Sequence, residues 1–473
     1  MRRLRGLEGS TVPTPEAAPP EPAPPEKPAP PGSAEPAAPT LRQTLLSRGY
    51  LRLLLLCALL GVPIALASFF FVSLQHELQH GVWEALPEAL GYDRAPWWWP
   101  LPTLLLAGLI VAPVVTRMPG AGGHVPVHGL GGTPLGPREL PGVVLAAIAT
   151  LPLGVVLGPE APLMAVGSAL ALLSLRALRQ APDPRGTMVL ATAGSTAAIS
   201  TILGGPIVAA VMVVEAAGLG GAQLVVLLLP CLIASAAGAL VFTGFGEWTG
   251  LSVGGLELPV VPPNMTPDAG DFLWGVPAAA LIASVITAGR ALGFGTARWT
   301  RRHTARRTVL AALAAGVSLT AYALLTDRSP EEAALSGQAA LGQLAEHPHS
   351  WSVAALVALV ACKGLAWGLC LGALRGGPIF PAVLLGAAIG VACAGLPGLG
   401  TAPGLALGIA AAAAAITGLP LTSAILAVLL LGPDGQDQMP LIVTATVVAF
   451  VTAQLLRRGE TREPEGAGQP TGP

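Results

Sequence analysis

The chain has 473 residues, 53% of them apolar and only 11% charged, with a mean hydropathy of +0.67. These values exclude an ordinary soluble domain. Lysine and arginine (25) balance aspartate and glutamate (26), and the formal net charge of -1 gives no sign of a nucleic-acid partner.

Residues 1–40 are rich in Pro, Ala and Glu, as in Glu21-Pro22-Ala23-Pro24-Pro25-Glu26, and carry too little apolar surface to fold. With no long apolar run directly behind Arg2, Arg3 and Arg5, they read as a disordered tail, not a signal peptide. Apolar stretches then run at about 50–75, 101–116, 140–157, 162–178, 187–203, 206–218 and 221–244. A second series follows at about 271–294, 306–326, 350–373, 379–395, 402–417, 420–432 and 438–456. The segment 457–473 is polar, and no further module is expected after it. A full crossing needs roughly 20 helical residues. Several stretches are shorter, which predicts an all-α polytopic membrane protein whose broken helices meet end to end inside the protein.

Basic residues cluster at Arg176, Arg179 and Arg185, at Arg298, Arg301, Arg302, Arg306 and Arg307, and at Arg457 and Arg458. Loop 82–100 carries Trp97, Trp98 and Trp99, and loop 327–350 carries Asp327, Glu331 and Glu332. The positive-inside rule places the basic loops and both termini in the cytoplasm and the acidic loops outside, for a multi-pass protein of the cell (plasma) membrane. Cys57, Cys231, Cys362, Cys370 and Cys393 have no paired spacing and read as small packing residues, without a disulfide framework or metal site.

One pattern occurs twice. Gly158-Pro159-Glu160-Ala161-Pro162 with Gly167, and Gly377-Pro378-Ile379-Phe380-Pro381 with Gly386, both read GPxxPxxxxG. Ala197-Ala198 leading to Gly205-Pro206 is echoed by Ala414-Ala415 leading to Leu419-Pro420. Four breaks in matching order predict two related halves, about 101–245 and 271–456, within a transmembrane domain of 41–456, and a binding site at mid-membrane. Only the first copy carries an ionisable residue. A carboxylate at membrane depth costs roughly 2.5 to 3.5 kcal/mol or more, which marks Glu160 as the leading functional residue.

The motifs resemble those of the CLC family of chloride channels and proton/chloride antiporters. Gly158 to Pro162 is similar to its G(K/R)EGP signature, Gly376 to Pro381 to GGxFxP, Gly122-Gly123-His124-Val125-Pro126 to GSGIP, and Leu419-Pro420-Leu421-Thr422 to APLT. The resemblance implies a CLC-like inverted repeat, a homodimer with one pathway per subunit, and transport of chloride or another monovalent anion with no cofactor. Helix N-termini offer unpaired N–H groups and about half a positive charge, enough to hold an anion without a formal cation. The implied anion-binding residues are Gly122, Gly123, His124, Val125, Pro126, Gly158, Pro159, Ala161, Gly377, Ile379 and Phe380. Glu160 is implied as the gating, proton-accepting glutamate.

The chain departs from the family pattern at several places. The position of the inward proton glutamate falls on Ala216, with Glu215 beside it and about 100° away on a helix. Neither a serine at Gly123 or His124 nor a late tyrosine is present, the tyrosines being Tyr50, Tyr92 and Tyr322. Pro378 withdraws one backbone donor, and Arg375 either supplies compensating charge or snorkels to the membrane surface. Lys363 reads as a family position or a structural cation, and its pairing with Glu215 stays open. These departures favour channel-like or weakly proton-coupled flow over strict antiport. Two other classes stay open: a degenerate anion-binding protein without transport, and an intramembrane enzyme with a metal on His124 and His128. Taken together the residues point to a transport protein and not an enzyme.

Overall fold

The computed structural model describes residues 40–130, 132, 134–177, 184–249, 258 and 266–457. Both tails and Arg179 therefore lie outside the described residues. The described residues from Leu45 onward form one compact unit. A short helix, α1 (Leu41–Leu45), opens the described chain. The first half contains α2 (Arg48–His80), α3 (Leu86–Ala89), α4 (Pro100–Arg117), α5 (Leu140–Thr150), α6 (Glu160–Ala177), α7 (Pro184–Ser200), α8 (Pro206–Ala217) and α9 (Gly221–Thr249). The second contains α10 (Ala269–Thr300), α11 (Thr304–Thr326), α12 (Gln338–Glu346), α13 (Val353–Ala373), α14 (Ile379–Cys393), α15 (Thr401–Thr417), α16 (Pro420–Leu430) and α17 (Met439–Leu456). Eight of the described helical stretches are long and apolar enough to span a bilayer, and five further apolar helices of 10–17 residues are not.

The four Gly/Pro breaks begin helices where the sequence places them. α8 starts at Pro206 and α16 at Pro420, each proline taking a first-turn position where no N–H is needed. α6 starts at Glu160 and α14 at Ile379. Each of these last two helices lies against its successor through glycines. The place of a Cβ on Gly167 is taken by the Gly194 carbonyl, and that of a Cβ on Gly386 by the Gly408 carbonyl. Backbone-to-backbone approach of this kind is how helices associate where lipid provides no hydrophobic drive. The same device recurs in both halves, so α6 and α14 are held alike.

Three boundaries differ from the sequence expectation. The stretch from 82 is not a loop, since α2 continues through a π-helical turn, Gly81–Ala85, into α3. Trp83 anchors that turn, buried with its indole N–H donating to the Pro152 carbonyl at 2.9 Å. The stretch 140–157 is not one helix: α5 stops at Thr150, and residues 151–154 turn before the first GPxxP copy. Loop 327–350 contains α12, whose Ala340, Leu341, Leu344 and Ala345 are buried at helical spacing.

Candidate functional site

The two GPxxP copies touch. Gly158 N–H donates to the Gly377 carbonyl at 2.8 Å, and Gly377 N–H returns the bond to the Gly158 carbonyl at 2.6 Å, a single antiparallel bridge between the halves. It sets the first turns of α6 and α14 side by side. A helical side chain leans toward its own N-terminus, so Glu160, at the first position of α6, reaches across the bridge to the partner helix. Its Oε1 accepts the Ile379 N–H at 3.1 Å and the Phe380 N–H at 2.9 Å. Glu160 is 0% exposed, and its Oε2 has no hydrogen-bond partner among the described residues.

Two backbone N–H groups converging on one oxygen suit a negatively charged group. The free N–H groups at the start of α14 have no partner within their own helix, and the helix dipole adds partial positive charge there. The Glu160 carboxylate occupies this N-terminus. The glycines make this close approach feasible, because a Cβ on either Gly158 or Gly377 would overlap Oε2. Pro378, with no N–H, caps α14 immediately before the two donors that hold Glu160. Pro159 is buried behind the bridge and Ala161 lies half-buried in the first turn of α6.

The third break, around Gly122, reaches this pair through Arg375. The Arg375 Nε donates to the Ala121 carbonyl at 2.9 Å and Nη1 to the Leu374 carbonyl at 2.9 Å. Its own carbonyl accepts the Thr150 hydroxyl at 2.9 Å. Arg375 is 6% exposed, so it does not snorkel to the surface. Sequence reasoning missed Thr150 and Ala121, for nothing distinguishes a threonine or an alanine in an apolar run. Within this break Gly122 and Pro126 are buried, Gly123 and Val125 half-buried, and His124 exposed. Gly123 has φ +106, and no regular helix runs from 122 to 128, so His124 and His128 do not share a helical turn. Among the described residues no group of three metal ligands occurs. His128 packs edge-on against Phe294, with ring centroids 5.5 Å apart.

The structure keeps Glu215 and Lys363 apart. Glu215 Oε1 accepts the Leu421 N–H at 2.9 Å, and Oε2 accepts the Thr422 N–H at 2.8 Å and the Thr422 hydroxyl at 2.6 Å. A carboxylate near the C-terminal end of α8 opposes that helix's dipole, but here it caps the N-terminus of α16. It repeats, between a second pair of helices, the arrangement of Glu160 on α14. Lys363 Nζ donates to the carbonyls of Ala333, Ala334 and Leu335 at 2.9, 2.8 and 3.2 Å. All three ammonium hydrogens are thus used on backbone, which makes Lys363 a structural cation. Leu335 N–H in turn donates to the Gly154 carbonyl at 3.3 Å, tying this loop to the turn before Gly158. Tyr322 donates to Glu332 at 2.6 Å and Tyr50 to the Val226 carbonyl at 3.1 Å, so neither faces Glu160.

A second titratable cluster lies on the turn Pro330–Glu332, outside the spanning helices. Burial, then the Glu84 and Glu332 carboxylates, push Glu331 up from 4.5 to about 7, against the opposing pull of His80. An acid whose folded pKa is raised binds more protons folded than unfolded, so stability falls as pH rises through that window. Glu331→Gln is therefore expected to flatten the pH dependence of the melting temperature in detergent between about pH 4.5 and 7. An unchanged slope would contradict this.

The fold defines an all-α polytopic membrane protein built on an inverted repeat of broken helices. Residues 126–454 match the family described as "Voltage gated chloride channel", and the chain belongs to that family, the CLC family. A stretch of 197 residues is 34% identical to the "Putative ion-transport protein YfeO" of Escherichia coli O1:K1 / APEC, covering 40% of this chain and 46% of that relative's length. Among solved structures, the chain is similar to a slow cyanobacterial Cl-/H+ antiporter, with a TM-score of 0.71 at 17% identity, over 86% of this chain and 95% of that one. It is likewise similar to a CLC-type fluoride/proton antiporter, with a TM-score of 0.64 at 18% identity, over 86% of this chain and 96% of that one. At these identities the likeness to the two structures is one of fold.

Proposed function

We propose that the protein carries chloride or a similar monovalent anion across the cell membrane along a pathway gated by Glu160. The observation that supports this reading is the seating of the Glu160 carboxylate on the Ile379 and Phe380 N–H groups. A negative side chain in that place blocks an anion, and protonation weakens its hold, because charge-assisted hydrogen bonds are about twice as strong as neutral ones. Oε2, left without a partner, is the oxygen that takes the proton.

Channel-like or weakly proton-coupled flow is favoured over strict antiport. Ala216 cannot titrate, and Glu215 is engaged by three donors on α16. A homodimer in the plasma membrane, with both termini cytoplasmic, completes the reading of a transporter that is not an enzyme. Anion efflux from liposomes holding the purified protein tests it: efflux above that of empty liposomes for at least one of chloride, fluoride or nitrate is expected. No efflux for any of them would favour an anion-binding protein that does not transport.

A further inference from the structure

Arg375, two residues before Gly377, links the converging segments: its side chain bonds the Ala121 carbonyl, and its own carbonyl accepts the Thr150 hydroxyl at the end of α5. Its guanidinium is almost fully buried, and among the described residues no carboxylate pairs with it. Buried charges are ordinarily paired, because neutral carbonyls do not cancel a full charge. Two of the five N–H donors are used on carbonyls, leaving three. A residual 6% of its surface stays accessible, so those donors are not sealed in packing.

We propose that Arg375 is an anion-binding and specificity-determining residue, whose guanidinium holds the transported anion beside the Gly122 break and favours planar oxyanions over halides. The inference rests on the anion-transport reading. Helix N-termini hold anions through single N–H donors without fixing the shape of the anion. A guanidinium presents a flat fork that matches two oxygens of one planar anion, which an ammonium cannot reproduce. The fork also supplies positive potential three residues from where Pro378 withdraws a backbone donor. Arg375 therefore combines a buried charge without a carboxylate partner among the described residues with a donor geometry that suits a planar oxyanion.

The test compares native protein, Arg375→Lys and Arg375→Gln, with nitrate as the planar probe and chloride as the spherical one. Liposome efflux gives the nitrate-to-chloride ratio, and melting in matched nitrate and chloride salts gives binding independent of transport. Native protein is expected to prefer nitrate, and Arg375→Lys to lose that preference on the order of tenfold in the nitrate-to-chloride ratio. Arg375→Gln should lose nitrate-dependent stabilisation in melting. Lysine keeps the charge and a reach to Ala121, so a purely structural role would leave the ratio unmoved. Equal ratios in native protein and Arg375→Lys, with equal stabilisation by the two salts, would overturn the proposal. If native protein carries no anion, the transport reading fails by itself, and the melting shifts still decide whether Arg375 binds one.

Discussion

Glu160→Gln is expected to accelerate anion efflux at neutral pH and to abolish its dependence on pH. The glutamine oxygen can still accept the Ile379 and Phe380 N–H groups, so the fold at the bridge is kept. What is lost is the negative charge opposite the α14 N-terminus. Replacing charge-assisted by neutral hydrogen bonds weakens the seat by about 1 to 2 kcal/mol, which makes displacement by an anion roughly 5- to 30-fold easier. In native protein the same loosening follows protonation, so native efflux should rise as pH falls while the variant stays flat. Efflux measured from pH 5 to 8 for both proteins checks this; a variant with native rate and native pH dependence would remove Glu160 from the gate.

Gly377→Ala is expected to unseat the same carboxylate without touching it chemically. Gly377 has no positive φ, so alanine meets no backbone penalty there. The added methyl, however, would overlap Glu160 Oε2 and crowd its Cβ. Either the carboxylate leaves the N–H groups of α14 or the bridge to Gly158 opens. Overpacking of this kind costs about 1 to 3 kcal/mol, comparable to the hydrogen bonds it displaces. Efflux at neutral pH should therefore rise toward that of Glu160→Gln. In a Glu160→Ala background the alanine has no carboxylate to collide with, so its effect on efflux should largely vanish, a coupling that a double-mutant cycle reads directly. Additive effects would show that Gly377 acts elsewhere.

The parts of this molecule that sequence made legible are those encoded by local punctuation. The Gly/Pro breaks at 158, 205, 377 and 420 start helices, and the resemblance of one GPxxP copy to the other becomes, in three dimensions, a backbone bridge between them. Glu160 was legible because a lone acid in an apolar run is costly unless used. The missed elements have weaker or ambiguous local signals. α12 carries its apolar residues at helical spacing, but Gln338, Gln343 and Glu346 lower its hydropathy to that of a loop. The chain from 82 to 89 stays helical because Trp83 is buried against Pro152, a contact 69 residues distant. Arg375, Lys363 and Glu215 were visible as candidates, but their partners are backbone groups, which no side-chain pattern marks. Lys363 and Glu215 thus looked like a pair of opposite charges when each is satisfied by main chain.

The most direct test of the account is to locate the anion itself in crystals of Glu160→Ala grown in bromide, by anomalous scattering. A bromide peak is expected at the place vacated by the carboxylate, within hydrogen-bonding distance of the Ile379 and Phe380 N–H groups, and no peak there in native crystals at neutral pH. Bromide bound elsewhere along the protein, with that position empty in the variant, would contradict the claim that Glu160 occupies an anion site.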